Sequence, residues 1–233
     1  MRVRVAITAL GITAALLAVP ACSTDTIGPT PDMSRSGKPT GATHSATHSA
    51  APLSSAALEK RLLDERDLAR GYLRTPERPR QHDDVAVVGC PALSALGGDA
   101  AAGGSLAFPR KAKATFTYAD DGNSEISEEL YSDSATKLSE GTGRIFDAMT
   151  GCPTYQVVTG GTTIDVACQK LTAPHQLGDE QWSQLLTFTS GGRNTVVKQT
   201  VIRAGNLLMT VSGSPALVDR HLDKALAKAT ASS

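Results

Sequence analysis

Aromatic side chains are scarce in this chain, and neither sign of charge is in excess. Phe, Trp and Tyr make up 4% of the 233 residues, and Trp182 is the sole tryptophan. Stacking platforms for bases or sugars are therefore poorly supplied. Basic and acidic residues number 23 each, so the formal net charge is zero, and no basic run is present. We therefore do not expect the chain to bind nucleic acid.

The N-terminal apolar run is too short to be a membrane span. It extends from Val5 to Val19, about fifteen residues, where a spanning helix needs ~20. Arg2 and Arg4 precede the run, and the small residue Ala21 follows it. This order is typical of a cleaved export signal. Residues 1–21 are therefore predicted to be a signal peptide.

The last residues of the signal peptide and the cysteine that follows them form a recognisable motif. Val19-Pro20-Ala21-Cys22 resembles the lipobox of bacterial lipoproteins, in which the cysteine receives a diacylglyceryl thioether and becomes the new N-terminus. The resemblance implies that Cys22 is lipidated and anchors the protein to the extracytoplasmic face of the cell membrane. Each buried CH₂ of an acyl chain contributes ~0.8 kcal/mol to such anchoring. The alternative is an ordinary secretory signal with a coincidental cysteine.

Residues 22–54 are predicted to be the lipidated cysteine and a disordered linker. They consist mainly of Ser, Thr, Pro, Gly and Ala, which cannot bury enough apolar surface to offset the entropy of ordering. His44 and His48 lie four residues apart here, and imidazoles are good metal ligands. We expect no metal site, because no helix is predicted to hold the pair on one face and no third ligand is close.

Residues 55–233 are predicted to form a single α+β domain, an antiparallel sheet meander with helices packed on one face. Ser54 or Ser55 can cap a first helix that carries Leu58, Leu62 and Leu63 on one side. A central helix is predicted from residue 132 or 133, ending before Gly151. Ser214 and Pro215 are predicted to open a final helix.

The strands of this domain are predicted from alternation and from turn residues. Residues 114–118 and 125–131 alternate around a turn at 121–123, which predicts a hairpin. Later strands are joined at Gly160-Gly161, Gly191-Gly192 and Gly205-Asn206, and such short connections predict antiparallel neighbours. Within the hairpin, a polar strand face accounts for Glu128.

Three cysteines remain once Cys22 is set aside. Cys90 and Cys152 each follow a glycine and precede a proline, whereas Cys168 shares a strand face with Ile164 and Val166. We predict a disulfide between Cys90 and Cys152, with Cys168 as a small buried hydrophobe. A bond between Cys152 and Cys168 is the alternative.

No catalytic motif is present, and residues that could carry chemistry are isolated along the chain. They are His82, His175, His221, Glu125, Glu128, Glu129, Asp179 and Glu180. We predict no catalytic residue, metal or cofactor, and hence a binding domain for an unidentified envelope ligand or protein. A hydrolase acting on envelope material is an alternative, because catalytic triads are assembled by folding. A structural or accessory lipoprotein without a small ligand is another.

Several segments together resemble one family. They are residues 62–72, the sequence Gly89-Cys90-Pro91-Ala92-Leu93, the pair Cys152-Pro153 and residues 201–208. These look like actinobacterial lipoproteins related to the extracellular sensor domain of the mycobacterial serine/threonine kinase PknH. The resemblance spans residues 58–229. It implies a PknH-like sensor domain, with a disulfide from the first cysteine segment to the end of the central helix and a cleft for a ligand. This chain carries no kinase domain and no clear second disulfide, so we do not expect it to signal directly across the membrane.

Overall fold

The computed structural model describes residues 51–76, 85–97, 108–119, 124–173 and 175–231. The predicted signal peptide, Cys22, the histidines of the linker and His82 lie outside these ranges. The helices of the described part are α1 (Ser55–Glu59), α2 (Pro91–Ser94), α3 (Ala135–Gly151) and α4 (Pro215–Thr230). Its strands are β1 (Tyr72–Thr75), β2 (Ala86–Val88), β3 (Lys111–Tyr118), β4 (Glu125–Ser132), β5 (Thr154–Thr159), β6 (Thr162–Lys170), β7 (Glu180–Ser190), β8 (Arg193–Ala204) and β9 (Leu207–Gly213).

These strands form one antiparallel sheet in the order β1-β3-β4-β9-β8-β7-β6-β5-β2. Strands β5 to β9 follow one another as a meander, and β3 and β4 form the predicted hairpin. β9 then pairs with β4, which joins the hairpin to the meander. The predicted α+β class and its single antiparallel sheet are confirmed.

Paired glycines set the turns of the meander. Gly160 and Gly161 have φ of 53° and 75°, and Gly191 and Gly192 have φ of 56° and 76°. A two-residue hairpin turn with positive φ at both positions matches the right-handed twist of its strands, and glycine adopts it without steric cost.

The helices cover both faces of the sheet, which differs from the expected single covered face. Helices α1 and α4 pack on one face, where their side chains cluster with Ile126, Met209 and Val211. Helices α2 and α3 pack on the opposite face, against Tyr155 and Leu186 towards the other end of the sheet and, through Leu138 of α3, against Val201 and Leu208 in its middle. We call these the α4 face and the α3 face. Alternation within a strand shows that its two sides differ, but it does not show which side a distant helix covers.

The first helix is shorter than its leucine pattern predicts. Ser54 Oγ accepts a hydrogen bond from Ala57 N at 3.2 Å, as an N-cap should, but the helix ends at Glu59. Leu62 and Leu63 follow outside the helix and are nevertheless buried. The spacing of Leu58, Leu62 and Leu63 therefore indicates which residues are buried against the sheet, but it does not indicate how long the helix is.

Candidate functional site

A row of uncharged polar side chains crosses the sheet on the α3 face. Its members lie directly opposite one another on successive strands β1, β3, β4, β9 and β8. They are Thr75, Thr115, Ser127, Ser212 and Gln199. We call these five residues the polar row. They share one face because antiparallel partners point to the same side of a sheet.

Members of the polar row bond to each other and to their neighbours. Thr115 Oγ1 and Ser127 Oγ are 3.2 Å apart, and Thr75 Oγ1 lies 2.9 Å from Thr117 Oγ1. At the other end, Gln199 Oε1 accepts a hydrogen bond of 2.8 Å from Gln184 Nε2. These bonds orient the side chains of Thr75, Thr115, Ser127 and Gln199 before a ligand binds.

An ion pair lies beside the row. Lys113 Nζ is 2.6 Å from Glu129 Oε1, and the same carboxylate accepts a hydrogen bond from the Tyr131 hydroxyl. The Glu129 side chain is 8% exposed and that of Lys113 is 30% exposed, so the pair is reachable from solvent through the ammonium. Opposite charges this close largely cancel each other's field at a distance.

Two adjoining grooves of about 580 and 610 Å³ border the row and share Lys113 and Glu129. The first opens at the end of β1 and is also lined by Glu59 and Arg74, which belong to the α4 side of the sheet. The first contains Thr75 and Thr115, and the second contains the other three members of the row. Both volumes fall in the range of small-molecule sites. The second groove ends at side chains of β7 and β8, among which Phe188 and Val197 are half-buried.

Under helix α3 the polar floor continues into the core. Gln184 is 1% exposed, and its Nε2 also lies 3.4 Å from Met149 Sδ on that helix. Cys168 Sγ donates to Gln184 Oε1 at 3.3 Å. The groove is thus open where the polar row lies and closed where α3 begins to cover the sheet.

Glu128 faces away from the grooves, and the assignment of this residue to a polar strand face is wrong. It shares the α4 face with Ile126 and Leu130 and is 1% exposed. Leu63 N donates a 2.6 Å hydrogen bond to its Oε2, while no described residue pairs with its Oε1. Burial raises the pKa of Glu128 to about 8, against the lowering effect of the Leu63 hydrogen bond. Glu125, two strand positions from Ser127, is exposed at the rim of the second groove.

The described histidines lie apart from the grooves. His221 is buried on α4, and its Nε2 is 2.7 Å from the Tyr72 hydroxyl. Burial, reinforced by the charges of Arg220 and Lys224, lowers the pKa of His221. His175 is exposed in the loop before β7.

Asp179 and Glu180 are paired with Arg203. Arg203 Nη1 is 2.9 Å from Asp179 Oδ2, and its Nε donates to Glu180. The hydrogen bond from Arg203 lowers the pKa of Glu180, and Ser139 Oγ donates to that carboxylate at 2.8 Å. These acids therefore fasten the loop before β7 to the end of β8.

The structure contains a disulfide between Cys90 and Cys152, whose Cα atoms are 5.8 Å apart. It joins the start of α2 to the end of α3. Cys168 is a free, buried thiol, and burial raises its pKa to about 11. The thiolate form that would act as a nucleophile is therefore disfavoured.

Within the part of the chain that the structure describes, no helix is both long and apolar enough to cross a membrane. Among the residues of that part, no group of three or more His, Cys, Asp or Glu side chains is placed to hold a metal ion.

Comparison with known proteins identifies the fold. The extracellular domain of PknH from Mycobacterium tuberculosis superimposes with a TM-score of 0.55 at 13% identity, covering 76% of this chain and 95% of that one. The chain has the fold of the PknH extracellular domain. An uncharacterized protein from Mycobacterium smegmatis matches with a TM-score of 0.39 and 10% identity over 72% of this chain and 93% of that one. No protein-family model and no curated protein matches the chain.

The polar row is not among the residues predicted from the sequence. Its members come from positions as distant as Thr75 and Ser212, and each strand contributes only one of them. A polar face within one strand is ordinary for a solvated sheet. Only the register between strands reveals that these side chains are neighbours.

Proposed function

We propose that this chain is a lipid-anchored, sensor-type binding domain on the extracytoplasmic face of the cell membrane. The open groove above the polar row is its ligand site. The observation that carries this proposal is the pre-arranged floor of hydroxyl and amide groups at an open part of the sheet. A solvated sheet face needs no such concavity, whereas a binding site does.

The PknH-like fold supports an extracytoplasmic placement, because the matching domain of PknH is extracellular. The N-terminal sequence supports the lipid anchor through Arg2, Arg4 and the segment that ends at Cys22. The disulfide between Cys90 and Cys152 agrees with an oxidising compartment.

Binding without chemistry is the function that these groups support best. The carboxylate of Glu129 is engaged by Lys113 and Tyr131, and Cys168 is buried under helix α3. His221 lies on the opposite face of the sheet. A hydrolase would need a nucleophile, a base and oxyanion donors around one reacting atom.

The anchor is tested by replacing Cys22 with Ser. We expect the variant to appear in the medium or to remain unprocessed, whereas the wild type fractionates with the membrane. A variant that stays on the membrane at the mature mass would contradict the anchor.

Ligand binding is tested by amide hydrogen exchange of the full mature chain, first in its own membranes and then after extraction and washing in detergent. We expect β4, β8 and β9 to exchange faster after washing, with β5 as the internal control. Equal exchange of these strands in both states would contradict the site. Turnover of an envelope ester, peptide or glycan that is lost in Glu129→Gln would favour the hydrolase.

A further inference from the structure

We propose that the ligand of the groove is an elongated, uncharged oligosaccharide, bound through its hydroxyl groups along the polar row. This inference rests on the proposed function and adds the ligand class. The polar row, the balanced charges around the grooves, the length of the row and the apolar end of the second groove all favour such a ligand.

The floor offers groups that both donate and accept hydrogen bonds. Each Ser or Thr hydroxyl has one donor and two acceptor positions, and the amide of Gln199 has both kinds of group. The bond between Thr115 and Ser127 and the bond from Gln184 to Gln199 use only part of this capacity. A sugar hydroxyl likewise donates and accepts at one atom, so it can bond to any member of the row in either direction.

The charges around the grooves balance. Among the described lining residues three are acidic and three are basic, namely Glu59, Glu125, Glu129, Arg74, Lys111 and Lys113. The two charges nearest the row, Lys113 and Glu129, are already paired with each other. A charged ligand would find no excess of opposite charge, which favours an uncharged one.

The length of the row requires an extended ligand. Neighbouring strands lie about 4.8 Å apart, so the four steps from Thr75 to Gln199 span roughly 19 Å. A single sugar would touch two or three members of such a row, whereas a short chain of sugars would reach all five.

The far end of the second groove is apolar. Phe188 and Val197 lie beyond Gln199 on the same face of β7 and β8. The C–H face of a sugar ring can pack on this phenyl ring. Since the chain has few aromatic side chains, most of the recognition must come from hydrogen bonds to the row.

An extended peptide fits less well, because its backbone is best satisfied by the free edge of a sheet. The polar row crosses a face of the sheet, and four of its five strands, β3, β4, β9 and β8, have a neighbouring strand on each side, while β1 is an edge strand. The backbone of a peptide that lies across this face could form hydrogen bonds only with side chains, and not with the backbone of the sheet.

The test is calorimetric titration of the full mature chain in detergent with neutral hexasaccharides of different linkages. A fully sulfated hexasaccharide and an extended hexapeptide are the comparison probes. The row variant is Thr115→Val/Ser212→Ala, which removes two hydroxyls with little change of volume. The matched control is Thr163→Val/Thr187→Val, whose side chains lie on the α4 face.

We expect at least one neutral hexasaccharide to bind the wild type and the control equally, and the row variant about tenfold more weakly. Thermal unfolding of each variant shows whether it is folded. If the row variant does not fold, Ser212→Ala alone replaces it. No binding by any neutral hexasaccharide, or binding that the row variant leaves unchanged, would overturn the inference. Tighter binding of the sulfated probe or of the peptide, lost in the row variant, would overturn the ligand class and leave the proposed function standing.

Discussion

The backbone N–H of Leu63 donates a 2.6 Å hydrogen bond to the buried carboxyl of Glu128. This bond fastens the segment after α1 to the centre of the α4 face, directly behind the polar row. Ser127 and Glu129, the chain neighbours of Glu128, face the groove on the other side of the same strand. The protonation of Glu128 therefore bears on the stability of the strand that forms the floor of the site.

Replacing Glu128 with Gln should flatten the dependence of stability on pH. The pKa of Glu128 is about 8 in the folded chain against an ordinary value of 4.5, so the folded state holds a proton that the unfolded state has lost. Stability from this group is present below pH 4.5 and is lost as the pH rises to 8, at about 1.4 kcal/mol per pH unit. Urea unfolding between pH 5 and 8 measures the slope.

The matched control is Glu125→Gln, an exposed position on the same strand. The control should keep the slope of the wild type, while Glu128→Gln should be more stable than the wild type at pH 8. The same slope in Glu128→Gln and the wild type would show that the carboxyl is not buried in solution.

His221 should have the opposite effect to Glu128 on the pH dependence of stability, because it should lower the stability as the pH falls. Burial lowers its pKa in the folded chain, so its stabilising effect is present above its ordinary pKa of 6.5 and is lost as the pH falls. His221→Gln, which can still bond to the Tyr72 hydroxyl, should lose less stability between pH 7 and 5 than the wild type does. Thermal unfolding at both values checks this, with the exposed His175→Gln as control. An unchanged loss in His221→Gln would contradict the prediction.

Much of the fold could be predicted from local signals in the sequence. Gly160-Gly161 and Gly191-Gly192 mark hairpin turns, and Ser214 with Pro215 marks the start of α4, because each depends on a few adjacent residues. The second covered face and the polar row could not be predicted, since both depend on register between distant strands. The sequence predicts a polar face for Glu128, because a carboxylate is rarely buried without a partner. Its partner, the N–H of Leu63, lies 65 residues away.

Gly213 closes one side of the second groove, and we expect it not to tolerate a side chain. Its φ is 148°, and a Cβ there would lie 2.0 Å from Glu125 O. Gly213→Ala should lower the free energy of unfolding by about 1–3 kcal/mol more than Gly205→Ala does. Gly205 is the control because it also has positive φ, at 59°, but has open space at the Cβ position. If urea unfolding shows the same loss of stability for Gly213→Ala and Gly205→Ala, β9 does not approach β4 this closely.

The disulfide between Cys90 and Cys152 closes a separation of 62 residues. Cys90→Ala/Cys152→Ala should reduce the free energy of unfolding by about 2–4 kcal/mol. Peptide mapping without reductant should find these two cysteines joined, and Cys168 alkylated only after unfolding. Cys168→Ala serves as the control that leaves the bond in place. A joined Cys152 and Cys168 peptide would contradict the pairing.

The central claim, that the groove above the polar row holds a ligand, is tested most directly by native mass spectrometry of the protein extracted from its own membrane. The measurement compares the wild type with Ser212→Phe and Thr195→Phe, two substitutions that fill the second groove, and with Thr163→Phe on the α4 face. We predict that the wild type and Thr163→Phe carry the same additional mass beyond the polypeptide and its N-terminal lipid, and that at least one folded groove variant lacks it. If the additional mass is absent from the wild type, or is retained in the folded groove variants, the account is contradicted.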